Sequence, residues 1–356
     1  MINCLPLALC LFLQPPFVQN PDSTQGSRSQ SAASYVERGN DWLKKGNFES
    51  AISDYSLAIA FDGSSPQAFY NRGLARERSG DREGALRDFE KALQLNPRLV
   101  PALQSRGMLR LGFNDISAAL ADFNKAIEVS PREAQVWANR AGVHLRAGNL
   151  DAAIADSSEA IKLDKHLVAA WSNRCGARYA KGDFEGALSD CNQAIKIDSR
   201  HAVAFNNRGS VLTDLGRTSE AIADLNRAIS LDPTRSYFFA NRGKALYVAQ
   251  KFDQAYEDVN RAIELNPNEV EAWLTRGIVK SMKSQPDLRG ALDDINHSLT
   301  MAPKLLEGWH NRAVVHLLLG NLSEAEIAFG KVKELGGTIK PEAERMLRAA
   351  KEQVKK

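Results

Sequence analysis

From residue 35 onward, apolar side chains recur at the spacing of an amphipathic helix. Short polar turns such as Lys45-Gly46-Asn47 and Lys181-Gly182-Asp183 interrupt them at regular intervals. The pattern itself repeats. An arginine stands at Arg38, Arg72, Arg106, Arg140, Arg174, Arg208, Arg242 and Arg276, every step being 34 residues, and at Arg312 after a step of 36. Three positions before each arginine is a large side chain: Tyr35, Phe69, Leu103, Trp137, Trp171, Phe205, Phe239, Trp273 and Trp309. Directly after it is a small one: Gly39, Gly73, Gly107, Ala141, Cys175, Gly209, Gly243, Gly277 and Ala313. An alanine follows at Ala51, Ala85, Ala119, Ala153, Ala187, Ala221, Ala255, Ala291 and Ala325. Each copy predicts two short antiparallel helices whose backbones approach at the small residues, with the large side chain covering the seam. Such a pair cannot bury its apolar face alone, so neighbouring copies must stack.

Helix-ending signals close some copies: Asn96-Pro97, Asp232-Pro233, Asn266-Pro267, and a proline alone after Ala302. The period, the aromatic, the small residue, the alanine and the closing proline resemble the tetratricopeptide repeat (TPR) over residues 32–337, in nine copies. The resemblance implies an all-α fold, a right-handed α-solenoid of stacked helix pairs, and a non-catalytic role in holding another protein. It has departures. Arginine stands where the family usually has leucine. The family's tyrosine four residues later is replaced by residues such as Arg76, Arg110, His144, Arg178 and Lys280, and the late aromatic (Tyr55, Phe89, Phe123) weakens to Ser157 and Cys191. Two extra residues near Ser284-Gln285-Pro286 lengthen a turn. Residues 338–356, with Pro341 in a first turn and Met346, Leu347, Ala350 and Val354 at helical spacing, predict a capping helix over the last apolar face.

Ahead of the repeats, residues 1–31 combine an apolar run at 4–13 with a segment rich in Ser, Gln and Asn that predicts a flexible linker. The run is too short to span a bilayer. It has the length of a secretory signal core but no Lys or Arg before it, so both export and a cytoplasmic location stay open. Forty-six Lys plus Arg against 43 Asp plus Glu leave a net charge of +3, which gives no footprint for nucleic acid. Cys4, Cys10, Cys175 and Cys191 form no metal motif; the last two share one repeat and are expected to be near each other, as free thiols or as a disulfide. The six histidines include no zinc spacing, and no phosphate loop or nucleophile elbow is present, so no cofactor, metal or catalytic residue is expected.

Two polar series accompany the repeats. Aspartates at Asp54, Asp88, Asp122, Asp156, Asp190, Asp224, Asp258 and Asp294, with Ala328 in the ninth copy, suggest a ladder in which each aspartate pairs with the arginine of the following repeat, Asp54 with Arg72 and Asp294 with Arg312. Directly before the arginines stand Asn71, Asn139, Asn173, Asn207, Asn241 and Asn311. On a helical wheel this site falls with Tyr70, Leu74 and Glu77, away from the seam. In the fold implied by the resemblance that face lines the concave groove, where a row of side-chain amides could hold the backbone of an extended peptide. A similar asparagine row occurs in the repeats of the O-linked N-acetylglucosamine transferases. Tyr179 and Tyr247 are expected in the same groove. Leu274, Ile278, Met282, Val314, Leu317 and Leu318 make an apolar stretch that is either a side-chain pocket or the surface the cap covers. The sites that would grip an acidic C-terminal carboxylate carry Asn40, Tyr70, Asn71, Gln104 and Ser105, which does not support that use. The expected function is an interaction scaffold for an extended protein segment, the alternative being an accessory, substrate-presenting subunit of a separate glycosyltransferase-like enzyme.

Overall fold

The computed structural model describes residues 26–354, so the apolar run at 4–13 lies outside the described residues. Two compact units are present, one ending at Asn173 and one beginning at Arg174. In the first, α1 (Gly26–Lys44) pairs with α2 (Phe48–Phe61), α3 (Pro66–Ser79) with α4 (Arg82–Leu95), α5 (Val100–Gly112) with α6 (Ile116–Val129), and α7 (Ala134–Arg146) with α8 (Leu150–Leu163). The boundary falls within α9 (Val168–Ala180). In the second, α10 (Phe184–Ile197) precedes the pairs α11 (Ala202–Asp214) and α12 (Thr218–Leu231), α13 (Ser236–Val248) and α14 (Phe252–Leu265), α15 (Val270–Met282) and α16 (Leu288–Met301), and α17 (Leu306–Leu318) and α18 (Leu322–Glu334). Finally α19 (Pro341–Val354) packs on α17 and α18. Each unit is an all-α solenoid, with no strand among the described residues. One boundary differs from expectation: the helix α1 begins at Gly26, inside the segment expected to be a linker, because nothing from residue 27 to the first repeat breaks a helix.

The pairing follows from the small residues. A β-carbon on Gly73 would lie 2.6 Å from Phe89 Cε1, and one on Gly39 2.7 Å from Tyr55 Cε1, so the aromatic ring occupies the space that a side chain would take. Phe89 is fully buried there, which contributes about 1.5–3 kcal/mol. Between the two helices of a repeat, Gly80 takes φ 94° and ends α3, and Asp81 caps α4 by accepting from the Gly84 N–H at 2.8 Å. Asn114 and Gln250 fill the same turn at φ 64° and 59°. Between repeats the stop does not need proline. Asp62, Asn96, Asp164, Asp198, Asp232 and Asn266 leave helical geometry and accept the N–H two residues on through Oδ1, at 2.8–3.1 Å.

Within each unit the first helix of a repeat also touches the first helix of the next: α1 touches α3, α5 touches α7, and α11, α13, α15 and α17 touch in succession. No comparable contact joins second helices among the described residues. The first helices therefore form the tighter, inner face of each unit. The two extra residues lie between α15 and α16, and both helices keep their register.

Candidate functional site

The charged ladder is intact but pairs differently from the sequence expectation. Arg38 donates to Asp54 from Nε and Nη2 at 2.7 and 2.6 Å, Arg72 to Asp88 at 2.9 and 2.7 Å, and Arg106 to Asp122 at 3.1 and 2.6 Å. The same two-pronged bond joins Arg140 to Asp156, Arg174 to Asp190, Arg208 to Asp224, Arg242 to Asp258, and Arg276 to Asp294. Every one of these pairs lies within a repeat. The expected pairs Asp54–Arg72 and Asp294–Arg312 do not form, because arginine and aspartate face each other across the hairpin they share. The ladder arginine's link to the preceding repeat is a hydrogen bond to an uncharged acceptor: Arg72 reaches Ser56, Arg140 Asn124, Arg208 Asn192, Arg242 Asn226, Arg276 Asn260 and Arg312 Asn296, at 2.7–3.1 Å.

Two further features of this ladder are absent from the sequence reading. Arg76, Arg110 and Arg178 each donate to the same buried aspartate at 2.8–2.9 Å, and Lys280 approaches Asp294 at 2.8 Å. These basic residues, replacing the family's tyrosine, thus supply a second cation to Asp88, Asp122, Asp190 and Asp294. In most repeats the aromatic three positions before the arginine is its shelf: the Arg276 guanidinium lies 4.4 Å from the Trp273 ring centroid, and Arg140 5.0 Å from Trp137. The indole N–H of Trp137, Trp273 and Trp309 donates to the carbonyl of Pro131, Pro267 and Pro303 at 2.8–2.9 Å.

The asparagines are less exposed than the helical wheel suggests. Asn71, Asn139, Asn173 and Asn207 are buried, whereas Asn241 and Asn311 are partly exposed. Their amides bridge neighbouring first helices. Asn71 donates to Asn40 Oδ1 at 3.1 Å, Asn139 to Gln104 Oε1 at 2.9 Å, Asn173 to the Ala138 carbonyl at 2.9 Å, and Asn241 to Asn206 Oδ1 at 2.8 Å. Asn207 accepts from Asn206 at 3.3 Å, and Asn311 donates to the Glu307 carbonyl at 2.8 Å. A wheel drawn for one hairpin omits the preceding first helix, which these amides reach. Tyr70 is fully buried as well, against Phe89, and not in an open groove.

The inner face of the second unit gathers groups from four of its inner helices and from α9. Tyr179 donates to Asp214 Oδ2 at 2.7 Å, and Lys244 Nζ donates to Asp214 Oδ1 at 3.0 Å. Burial drives the Tyr179 phenol far above its ordinary pKa, and Asp214, Glu271 and Glu307 add to the effect. Burial works against the Lys244 charge, but Asp214, then Glu307 and Glu271, outweigh it and raise its pKa. Tyr247 is raised by burial and by Glu307. Asp214, Lys244, Glu271 and Glu307 were missed in the sequence; their signal is a place on the inner face of successive first helices. The apolar stretch is divided. Leu274 and Ile278 are buried and packed with Tyr247, Val314 and Leu317 pack toward Ile339 and Leu347 beside the cap, and Met282 and Leu318 stay 51% and 46% exposed.

Tetratricopeptide repeat family models match residues 66–99, 105–166 and 202–235, and a TPR repeat model matches residues 39–80. The chain is a tetratricopeptide repeat protein. A comparison with the curated proteins finds no match. Among solved structures, it resembles the Cut9–Hcn1 hetero-tetramer of the APC/C at 14% identity and TM-score 0.64, over 93% of this chain and 78% of that one. A tetratricopeptide repeat protein from Parabacteroides merdae is similar at 18% identity and TM-score 0.60, over 70% of this chain and 99% of that one. PilF of Pseudomonas aeruginosa is similar at 17% identity and TM-score 0.51, over 58% and 95%. At these identities the likeness speaks for the fold.

One repeat of this tetratricopeptide array closes its seam covalently. Cys175 and Cys191 take the glycine and aromatic positions and form a disulfide, with a Cα–Cα distance of 5.4 Å and both residues fully buried. Among the described residues no cluster of His, Cys, Asp or Glu could hold a metal ion, and no helix is long and apolar enough to cross a membrane.

Proposed function

We propose that this tetratricopeptide protein is a non-catalytic scaffold that holds an extended segment of another protein along the inner face of its first helices. The observation that carries the reading is the inner face of the second unit, where Tyr247, Lys244, Asn241 and Glu307 keep solvent exposure while the seams behind them are closed. Tyr179, Tyr247, Asn241 and Asn311 are the inner-face groups named from sequence that can still meet a guest. Asn71, Asn139 and Asn173 serve by fixing the spacing of neighbouring first helices, which shapes the groove. The Cut9–Hcn1 structure is a hetero-tetramer, an assembly role of the same general kind.

Site-specific photo-crosslinking tests this. A photoreactive residue at Tyr247, on the inner face, is compared with one at Ile327, which is 60% exposed on the second helix α18. Partners captured from 247 and not from 327 support the groove. Equal capture, or capture from 327 alone, refutes it.

A further inference from the structure

We infer that His310 is an acid-sensitive latch on α19: as a neutral ring it holds that helix over the ninth hairpin, and once protonated it lets the helix go. The latch is one hydrogen bond between elements thirty residues apart. The Lys340 backbone N–H, at the entry to α19, donates to His310 Nε2 on α17 at 3.3 Å. Only an unprotonated Nε2 has a lone pair to accept it, so the proton of the neutral ring sits on Nδ1. That nitrogen is buried with no partner among the described residues. Protonation therefore sets Nε2–H against the Lys340 N–H, donor against donor, and gains no bond at Nδ1 in return.

The surroundings of the ring oppose a charge as well. His310 is buried and meets Phe329 of α18 edge to face, at 5.8 Å between ring centroids. Burial, and then the Lys340 ammonium, lower its pKa. The carboxylates on the packed elements are engaged elsewhere: Glu342 and Glu344 of α19 pair with Arg345 and Arg348, Glu326 of α18 pairs with Lys351, and Glu324 of α18 acts on His316. Glu307, one turn earlier on α17, makes no bond to the ring. The helix is also suited to release. Ala343 is its one buried side chain among the described residues, and Met346, Leu347 and Ala350 are half-buried. Its ion pair to α18, Lys351 with Glu326, joins two largely exposed side chains and contributes little. What α19 covers is apolar: Ala313, Ala328 and Phe329 share one cluster with Ala343. Docked α19 favours the neutral ring and free α19 binds more protons. Docking is thus complete above about pH 6.5 and weakens about tenfold per pH unit below it, until the pKa of the docked ring is reached.

The test is amide hydrogen exchange of the full chain between pH 7.5 and 5, corrected for the intrinsic pH dependence of exchange, on the wild type, H310Q and H316Q. In the wild type, protection of α19 should fall by about tenfold per pH unit below about pH 6.5 while α17 and α18 keep theirs. The midpoint should coincide with the titration of the His310 ring followed by NMR. In H310Q the amide oxygen still accepts the Lys340 N–H and does not titrate, so α19 should stay protected throughout. H316Q replaces the other buried histidine of α17 and should behave as the wild type. Protection of α19 that is unchanged with pH, that falls together with α17 and α18, or that falls equally in H310Q overturns the inference. So does an acid response removed by H316Q alone. Should H310Q lose its helices by circular dichroism, the wild-type midpoints decide, and a mismatch between α19 release and His310 titration overturns the latch.

Discussion

Replacing Asp88 by alanine probes the charged ladder at a buried carboxylate. The Asp88 carboxylate accepts three charge-assisted bonds, from Arg72 Nε and Nη2 and from Arg76 Nη1, at 2.9, 2.7 and 2.8 Å. Its side chain is 4% exposed, whereas those of Arg72 and Arg76 are 15% and 23% exposed. Asp88→Ala strands two guanidinium groups that can regain only part of their hydration, so a loss of about 3 kcal/mol is expected, at the lower end of the range for breaking a buried pair. A double-mutant cycle separates this from simple loss of packing. Coupling between Arg72 and Asp88 should be about 2 kcal/mol, and coupling between Arg72 and Asp54 should stay below about 0.5 kcal/mol. Stability in a stacked array is shared between repeats and unfolding need not be all-or-none, so the assay is amide hydrogen exchange of α3 and α4 alongside urea denaturation. Coupling of Arg72 to Asp54 equal to or above that to Asp88 would refute the within-repeat pairing.

Three other outcomes are expected. Gln250 holds φ 59° in a turn where other repeats place glycine, so Gln250→Gly should stabilise by about 0.5–1 kcal/mol in thermal melts; a loss would show that the left-handed geometry carries no strain there. Reduction of Cys175–Cys191, whose partners are 16 residues apart, should cost about 3 kcal/mol, and Cys175→Gly with Cys191→Phe should remove the sensitivity to reductant by restoring the seam used by Gly73 and Phe89. His201 caps α11 by accepting the Ala204 N–H at 3.2 Å through Nδ1, and burial lowers its pKa. The folded state favours neutral imidazole and the unfolded chain binds more protons, so this contribution is complete above about pH 6.5 and is lost as pH falls below it. His201→Asn keeps a cap and should lessen the acid loss in a stability-versus-pH series; an unchanged profile would assign that loss elsewhere.

The repeat and its helix pairs were legible because their cause is local. A ring such as Phe89 and the missing β-carbon at Gly73 must appear in the same copy, so the pairing is written at a fixed spacing. The ladder was legible in composition and not in register. An aspartate between two arginines of neighbouring copies can face either along the sequence, and only the packed hairpin shows which. Counting eight aspartates against nine arginines pointed the wrong way, since Arg312 is satisfied by Asn296 without a carboxylate. The asparagines misled for a related reason: their partners belong to the preceding first helix, and a wheel contains one helix. The carboxylates of the second-unit groove are scattered from residue 214 to residue 307 and become neighbours only through curvature.

The ladder also explains how the array can be long. Because each aspartate pairs with the arginine of its own repeat, no ladder carboxylate depends on a cation from the neighbour. What the ladder arginine gives the neighbour is a hydrogen bond to an uncharged acceptor, Ser56, Asn124, Asn192, Asn226, Asn260 or Asn296, which asks little of the copy that supplies it. A repeat of this kind stacks on its neighbour without introducing an unpaired buried charge. The ninth copy departs where α19 packs against its hairpin. Ala328 replaces the aspartate and is fully buried in one apolar cluster with Phe329 of α18 and Ala343 of α19. A carboxylate there would have to be desolvated against that helix. Arg312 instead keeps its Trp309 shelf, 5.3 Å from the ring centroid, and its bond back to Asn296. Loss of one aspartate thus exchanges a polar stacking surface for an apolar one that α19 covers.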